Sequence, residues 1–187
     1  MIRIYLPLFL SLILLSACGS DDDPVIENEE ELITELVYTL QPVGGGDEVI
    51  MAFSDPDGDG GLNPAIQVNR NLVANTTYEG SITIKNLSDN TTVDVTAEVQ
   101  AEARDHQFFF VPGQGLNVDL SYLDSDGDGN PVGLRTELRA NDPSSGNLVI
   151  ILRHEPDKSA TGVSISDPAG AGGATDIEIS FPVSISN

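Results

Sequence analysis

Beyond residue 32 the chain alternates apolar and polar residues almost one for one. "LITELVYTL" sets Leu32, Leu36, Tyr38 and Leu40 on one face, and after "PVGGGD" the run "EVIMAF" does the same with Val49, Met51 and Phe53. Period two is the mark of a strand with one buried face, and a glycine-rich connection between two such runs predicts a hairpin. "YEGSITIKNL" continues the pattern through Tyr78, Ile82 and Ile84, "LNVDLSY" through Leu116, Val118, Leu120 and Tyr122, and "PVGLRTELRA" through Val132, Leu134 and Leu138. "NLVIILRH", residues 147–154, is apolar on both faces, which predicts a central strand. In "TDIEISFPVSI" the residues Ile177, Ile179, Phe181, Val183 and Ile185 share the inward face and Pro182 falls on the outward one. Proline cannot donate to a ladder, so this last strand is expected at an edge.

One segment supports two readings. In "TVDVTAEVQAEARDHQ", residues 92–107, Val95, Val99 and Ala103 stand four apart, with Thr92 or Asp94 available as an N-cap. A helical stripe would also bring Glu102 to the apolar face, whereas strict alternation from Val93 to Ala103 places every acid outside. A strand is therefore expected here, with a short helix near 94–106 as the alternative, and another strand at "FFFVP". Eight to ten short strands without a solenoid repeat predict a mainly β fold, an antiparallel β-sandwich of Ig-like or jelly-roll-like type over residues 32–187.

The N-terminus reads differently. Arg3, the apolar run "IYLPLFLSLILL" and "LSAC" form an export signal over residues 1–17, too short and too soon interrupted for a comfortable membrane span. "LSAC" resembles the lipobox of bacterial lipoproteins, in which the cysteine is acylated, which implies lipidation at Cys18, the chain's single cysteine. Two or more acyl chains anchor stably where one does not. The following "GSDDDPVIENEEE" carries seven acids and no base, so residues 18–31 are expected to form a solvated tether reaching roughly 40 Å. Acids directly after the lipidated cysteine, "SDDD", resemble the surface-export signal of Bacteroidota lipoproteins. That implies the cell-surface leaflet of the outer membrane, with the periplasmic face as the alternative.

Charge narrows the partners. With 8 Lys and Arg against 30 Asp and Glu, a net charge of -22, the chain lacks the cations that nucleic acid binding requires, while multivalent cations fit. "DPDGDGG" and "DSDGDGN" place Asp55, Asp57 and Asp59, and Asp124, Asp126 and Asp128, on tight turns where alternate carboxylates can converge on calcium. Neither loop is an EF-hand, since the twelfth positions are Ile66 and Arg135, and Asp and Gly also serve as ordinary turn residues. His106 and His154, the latter beside Glu155, would suit zinc or copper if the fold unites them, and two imidazoles alone could clamp a haem. A loop histidine and a strand-end histidine in separate hydrogen bonds is the reading the sequence favours.

No G-x-S-x-G, H-E-x-x-H, P-loop or dinucleotide-binding glycine pattern occurs, so no enzyme is expected. "EEELITELVYTL", "ANTTYEGSI", "DHQFFF", "DSDGDGNPVG" and "LRHEPDKSA", with the lipobox and acidic tail, resemble small Bacteroidota lipoproteins often labelled "type 1 periplasmic binding fold superfamily protein". That resemblance implies a surface or periplasmic lipoprotein and brings no catalytic residue. The label's fold, two α/β lobes, contrasts with the alternating strands of this chain. The expected function is a calcium-stabilised, ligand-binding surface lipoprotein that captures a metal or metal-containing ligand for an outer-membrane transporter. A structural or adhesive module with calcium as its sole ligand is the alternative.

Overall fold

The computed structural model describes residues 31–58, 61–88 and 92–187. The export signal, Cys18, nearly all of the acidic tether and Asp59 lie outside those residues. The described chain is mainly β, with two sheets packed face to face.

The first hairpin forms as the alternation dictates. β1 (Glu35–Pro42) and β2 (Val49–Ser54) pair antiparallel, with Leu36 opposite Phe53 and Leu40 opposite Val49. β3 (Ala65–Val68) pairs with β2, β4 (Leu72–Val73) is a two-residue strand, and β5 (Thr76–Lys85) returns beside β1. After the helix α1 (Val95–Ala101) come β6 (His106–Pro112), β7 (Val118–Tyr122), β8 (Arg135–Ala140), β9 (Ser144–His154) and β10 (Ala174–Ser186). The sheets run β3-β2-β1-β5-β8-β7 and β4-β10-β9-β6, all antiparallel except for the parallel contact of β10 with β4.

The inner faces include the alternating apolar sets of β1, β5, β8 and β10. Leu36, Tyr38, Leu40, Ile82, Ile84 and Leu138 of one sheet meet Phe108, Phe110, Leu148, Ile150, Leu152 and Phe181 of the other in one core. The Tyr38 and Phe110 rings touch across it, centroids 5.2 Å apart. A buried phenol needs a partner, and Tyr38 Oη shares a hydrogen bond of 2.7 Å with Thr136 Oγ1. Gly80 makes room for this contact, since a Cβ there would lie 2.4 Å from Thr136 Oγ1 and 2.6 Å from the Tyr38 ring.

β9 is central, as its two apolar faces require. Its outer face carries Ile151, which joins Phe109 and Ala171 in a second, smaller cluster under the 155–173 loop. β10 is paired along its length with β9, whereas β4 reaches only Ile185 and Ser186, so the strand lies open on one side at Pro182.

The strand expected over Val93–Ala103 is corrected to a helix. Val95 and Val99, one helical turn apart, are buried, and Asp94 caps the N-terminus by accepting a hydrogen bond of 3.3 Å from Ala97 N. Glu102 does not break the stripe because the helix ends there: it is the C-cap, and its backbone N–H bonds to Glu98 O. Thr96 fixes the helix to the sheet, its hydroxyl exchanging hydrogen bonds with Ile84 N and Ile84 O at 2.9 and 3.0 Å. Among the described residues no helix is long and apolar enough to cross a membrane.

Candidate metal centre

α1 ends in a tight turn over 102–105 that delivers the chain into β6 at His106. His106 pairs directly with His154, the last residue of β9, and His154 pairs in turn with Ala174 at the start of β10. Three strands thus bring their ends to one corner of the four-stranded sheet. Residues directly opposite on an antiparallel ladder point to the same face, so the imidazoles stack, centroids 4.8 Å apart and planes at 26°.

Asp176 joins them through a fault in the ladder. Thr175 pairs with Arg153 and Ile177 with Leu152, so Asp176 is the extra residue of a β-bulge. Simple alternation would set it outward with Glu178 and Ser180, whereas a bulge re-aims the side chain. Its carboxylate is fully buried, with Oδ2 3.9 Å from His106 Nε2 and Oδ1 3.7 Å from His154 Nδ1. One donor atom from each of His106, His154 and Asp176 lies within 4.8 Å of the other two.

The tautomer of His106 follows from its neighbour. Nδ1 lies 3.2 Å from Glu102 O, and a carbonyl only accepts, so Nδ1 carries the proton. Nε2, fully buried and without a hydrogen bond, faces the carboxylate of Asp176. A buried carboxylate facing two imidazoles favours a shared cation, whether a proton on an imidazole or a metal ion. A backbone carbonyl holding the far nitrogen is also how metal-binding histidines are oriented. In a tetrahedral zinc site with bonds near 2.0–2.1 Å the donors stand roughly 3.3 Å apart, so the two spacings to Asp176 would contract by about half an ångström on binding. Stacked at 4.8 Å, the rings leave no gap for a porphyrin between them.

More acid surrounds this corner. Oxygens of Glu31 and Glu102 lie within 4.8 Å of each other and of a His106 nitrogen. Burial, then repulsion by Glu98 and a hydrogen bond with it, then repulsion by Glu102 and Asp176 push the Glu31 carboxyl up to about 7. Glu31, Asp55, Asp176 and Glu178 line one open groove of about 470 Å³. Glu155, adjacent to His154 in sequence, is exposed and outside the cluster, in a left-handed conformation with φ 51°. Gly173 packs beneath that turn, where a Cβ would come within 2.2 Å of His154 O.

The two Asp-rich loops flank this end of the molecule. In the first, Asp55 borders the groove shared with Asp176, and Asp57 Oδ2 accepts a hydrogen bond of 2.8 Å from Leu62 N. In the second, each carboxylate is engaged within the protein. Asp124 accepts from Gly133 N and Arg135 N, and Asp126 from Asp128 N, Asn130 N and the Lys158 ammonium. Asp128 pairs with Arg104. Burial tends to raise Asp126, but the hydrogen bonds from Lys158 and from two backbone amides outweigh it and hold the carboxyl below its usual range. Lys158 also donates to Ala103 O, which ties the loop to the turn before His106.

Asp176 carried no local sequence signal, since it looks like an outward residue of an ordinary strand. No protein-family model, curated protein or solved structure matches this chain.

Proposed function

We propose that the protein is a non-enzymatic, lipid-anchored outer-membrane module, displayed at the cell surface, whose folded domain binds a divalent transition-metal ion through His106, His154 and Asp176. The observation that carries this reading is the buried His106 Nε2, which makes no hydrogen bond and faces the carboxylate that His154 also faces. Two imidazoles and one carboxylate suit zinc or copper better than calcium, which prefers an all-oxygen shell. Hand-over to an outer-membrane transporter is the role that a tethered metal-binding module suggests by analogy.

Titration calorimetry of the full chain in detergent with zinc and with calcium tests this. One zinc per chain, lost in His106→Ala, supports the reading. Calcium binding alone, unaltered in His106→Ala and His154→Ala, would favour a structural or adhesive module held by the Asp-rich loops.

A further inference from the structure

The two Asp-rich loops share a sequence pattern and differ in what their carboxylates meet. Into the second reaches Lys158, from the 155–173 loop. Its side chain is 4% exposed and that of Asp126 1%, and the ammonium lies 3.0 Å from Asp126 Oδ2 and 2.5 Å from Ala103 O. A carboxylate oxygen and a backbone carbonyl are the ligands that a hard cation selects. The other two carboxylates turn elsewhere: Asp124 uses one oxygen on Gly133 N and the other on Arg135 N, at 2.7 and 2.9 Å, and Asp128 pairs with the exposed Arg104. The turn itself is closed by the chain, since Asp126 N donates to Asn130 O and Gly129 N to Asp126 O, and Asp126 Oδ1 accepts from Asp128 N and Asn130 N. In the first loop, among the described residues, no lysine or arginine pairs with Asp55 or Asp57.

We infer that the Lys158 ammonium is the built-in cation of the second loop: it holds the point where calcium would sit, so the motif at 124–130 keeps its turn without calcium and is closed to it. The sequence pattern alone offers this loop to calcium, and a residue some thirty positions later withdraws the offer. A lysine brings three donors on a flexible stem, enough to serve a carboxylate and a carbonyl at once. Because Ala103 belongs to the turn that leads into His106, the clamp between that turn and the loop is permanent and does not answer to calcium concentration. This inference is independent of what the histidine centre binds.

The test measures calcium bound by the full chain in detergent, by titration calorimetry, together with melting temperatures with and without calcium, for wild type, Lys158→Met and Asp128→Asn. Lys158→Met removes the ammonium and leaves Asp126 Oδ2 and Ala103 O open to an ion. It is expected to take up one calcium more than wild type and to melt roughly 5–10 °C higher once calcium exceeds its Kd 100-fold. Asp128→Asn should bind as much calcium as wild type, because in wild type none reaches this loop. If Lys158→Met gains no calcium, the ammonium does not stand in for an ion and the inference fails. If wild type binds calcium and Asp128→Asn loses one, the loop is a calcium site despite Lys158, and the inference fails equally. Should Lys158→Met unfold in calcium-free buffer, recovery of its circular dichroism on adding calcium counts as the gain, and no recovery counts against it.

Discussion

His106 and His154 occupy the same rung of the β6–β9 ladder, and their buried rings stack 4.8 Å apart at the end where Asp176 bulges out of β10. Strand pairing alone therefore sets the geometry of three donor groups that lie far apart in sequence. Metal binding should in consequence be coupled to the stability of the four-stranded sheet.

Replacing Asp176 with Asn keeps the volume and removes the buried charge. A ligand at 100 times its Kd stabilises by about 2.7 kcal/mol, which at this size corresponds to roughly 5–10 °C. Wild type should show a zinc-induced shift of that order and Asp176→Asn almost none, as read by differential scanning calorimetry with and without zinc.

The glycine pair at the start of β10 separates backbone strain from steric conflict. Gly172 and Gly173 both have left-handed φ, 62° and 72°, but only Gly173 faces a neighbour, with His154 O 2.2 Å from the position of a Cβ. Gly172→Ala should cost about 1 kcal/mol and leave zinc affinity intact. Gly173→Ala should cost several times more and weaken zinc binding, because the displaced backbone belongs to His154. Urea unfolding and zinc titration of the two variants measure the contrast.

In the core, Tyr38→Phe leaves the buried Thr136 hydroxyl without its partner and should cost about 1–2 kcal/mol. Gly80→Ala drives a methyl group into both residues and should cost about 1–3 kcal/mol or more by overpacking. Both are read from urea midpoints at constant m-value.

The pair Lys158–Asp126 sets a pH signature. Asp126 titrates below its ordinary range in the folded protein, so its contribution is complete above the unfolded value and is lost as pH falls through the folded one. Lys158→Met removes the partner of a buried carboxylate and should cost about 2–3 kcal/mol at pH 7. The loss should shrink as pH falls below the ordinary carboxylate range and Asp126 takes up a proton. Unfolding free energies of both proteins between pH 3 and 7 check the sign. A wild-type excess that grows on acidification would contradict it.

Much of this architecture is legible in the residues. The alternation of "LITELVYTL" and "EVIMAF" gives the first hairpin, the two apolar faces of "NLVIILRH" give the central strand, and Pro182 marks where β10 lacks a second neighbour. α1 is not legible in the same way, because two turns are too few for helical periodicity to outweigh alternation, and a cap at Asp94 and a stop at Glu102 decide it. The partnership of His106 with His154 depends on sheet order, which no local pattern encodes. Asp176 is hidden further, since the bulge reverses the facing that period two assigns. Glu155 looked like the natural acid beside His154 only because adjacency in sequence resembles adjacency in space, and a left-handed backbone at Glu155 separates the two.

The most direct measurement is the zinc content of the purified full chain by elemental analysis after dialysis, beside His106→Ala and Asp176→Asn. One zinc per wild-type chain and none in either variant, with all three folded by circular dichroism, is the result expected. Equal zinc in all three, or none in wild type at saturating zinc, would contradict a centre built from His106, His154 and Asp176.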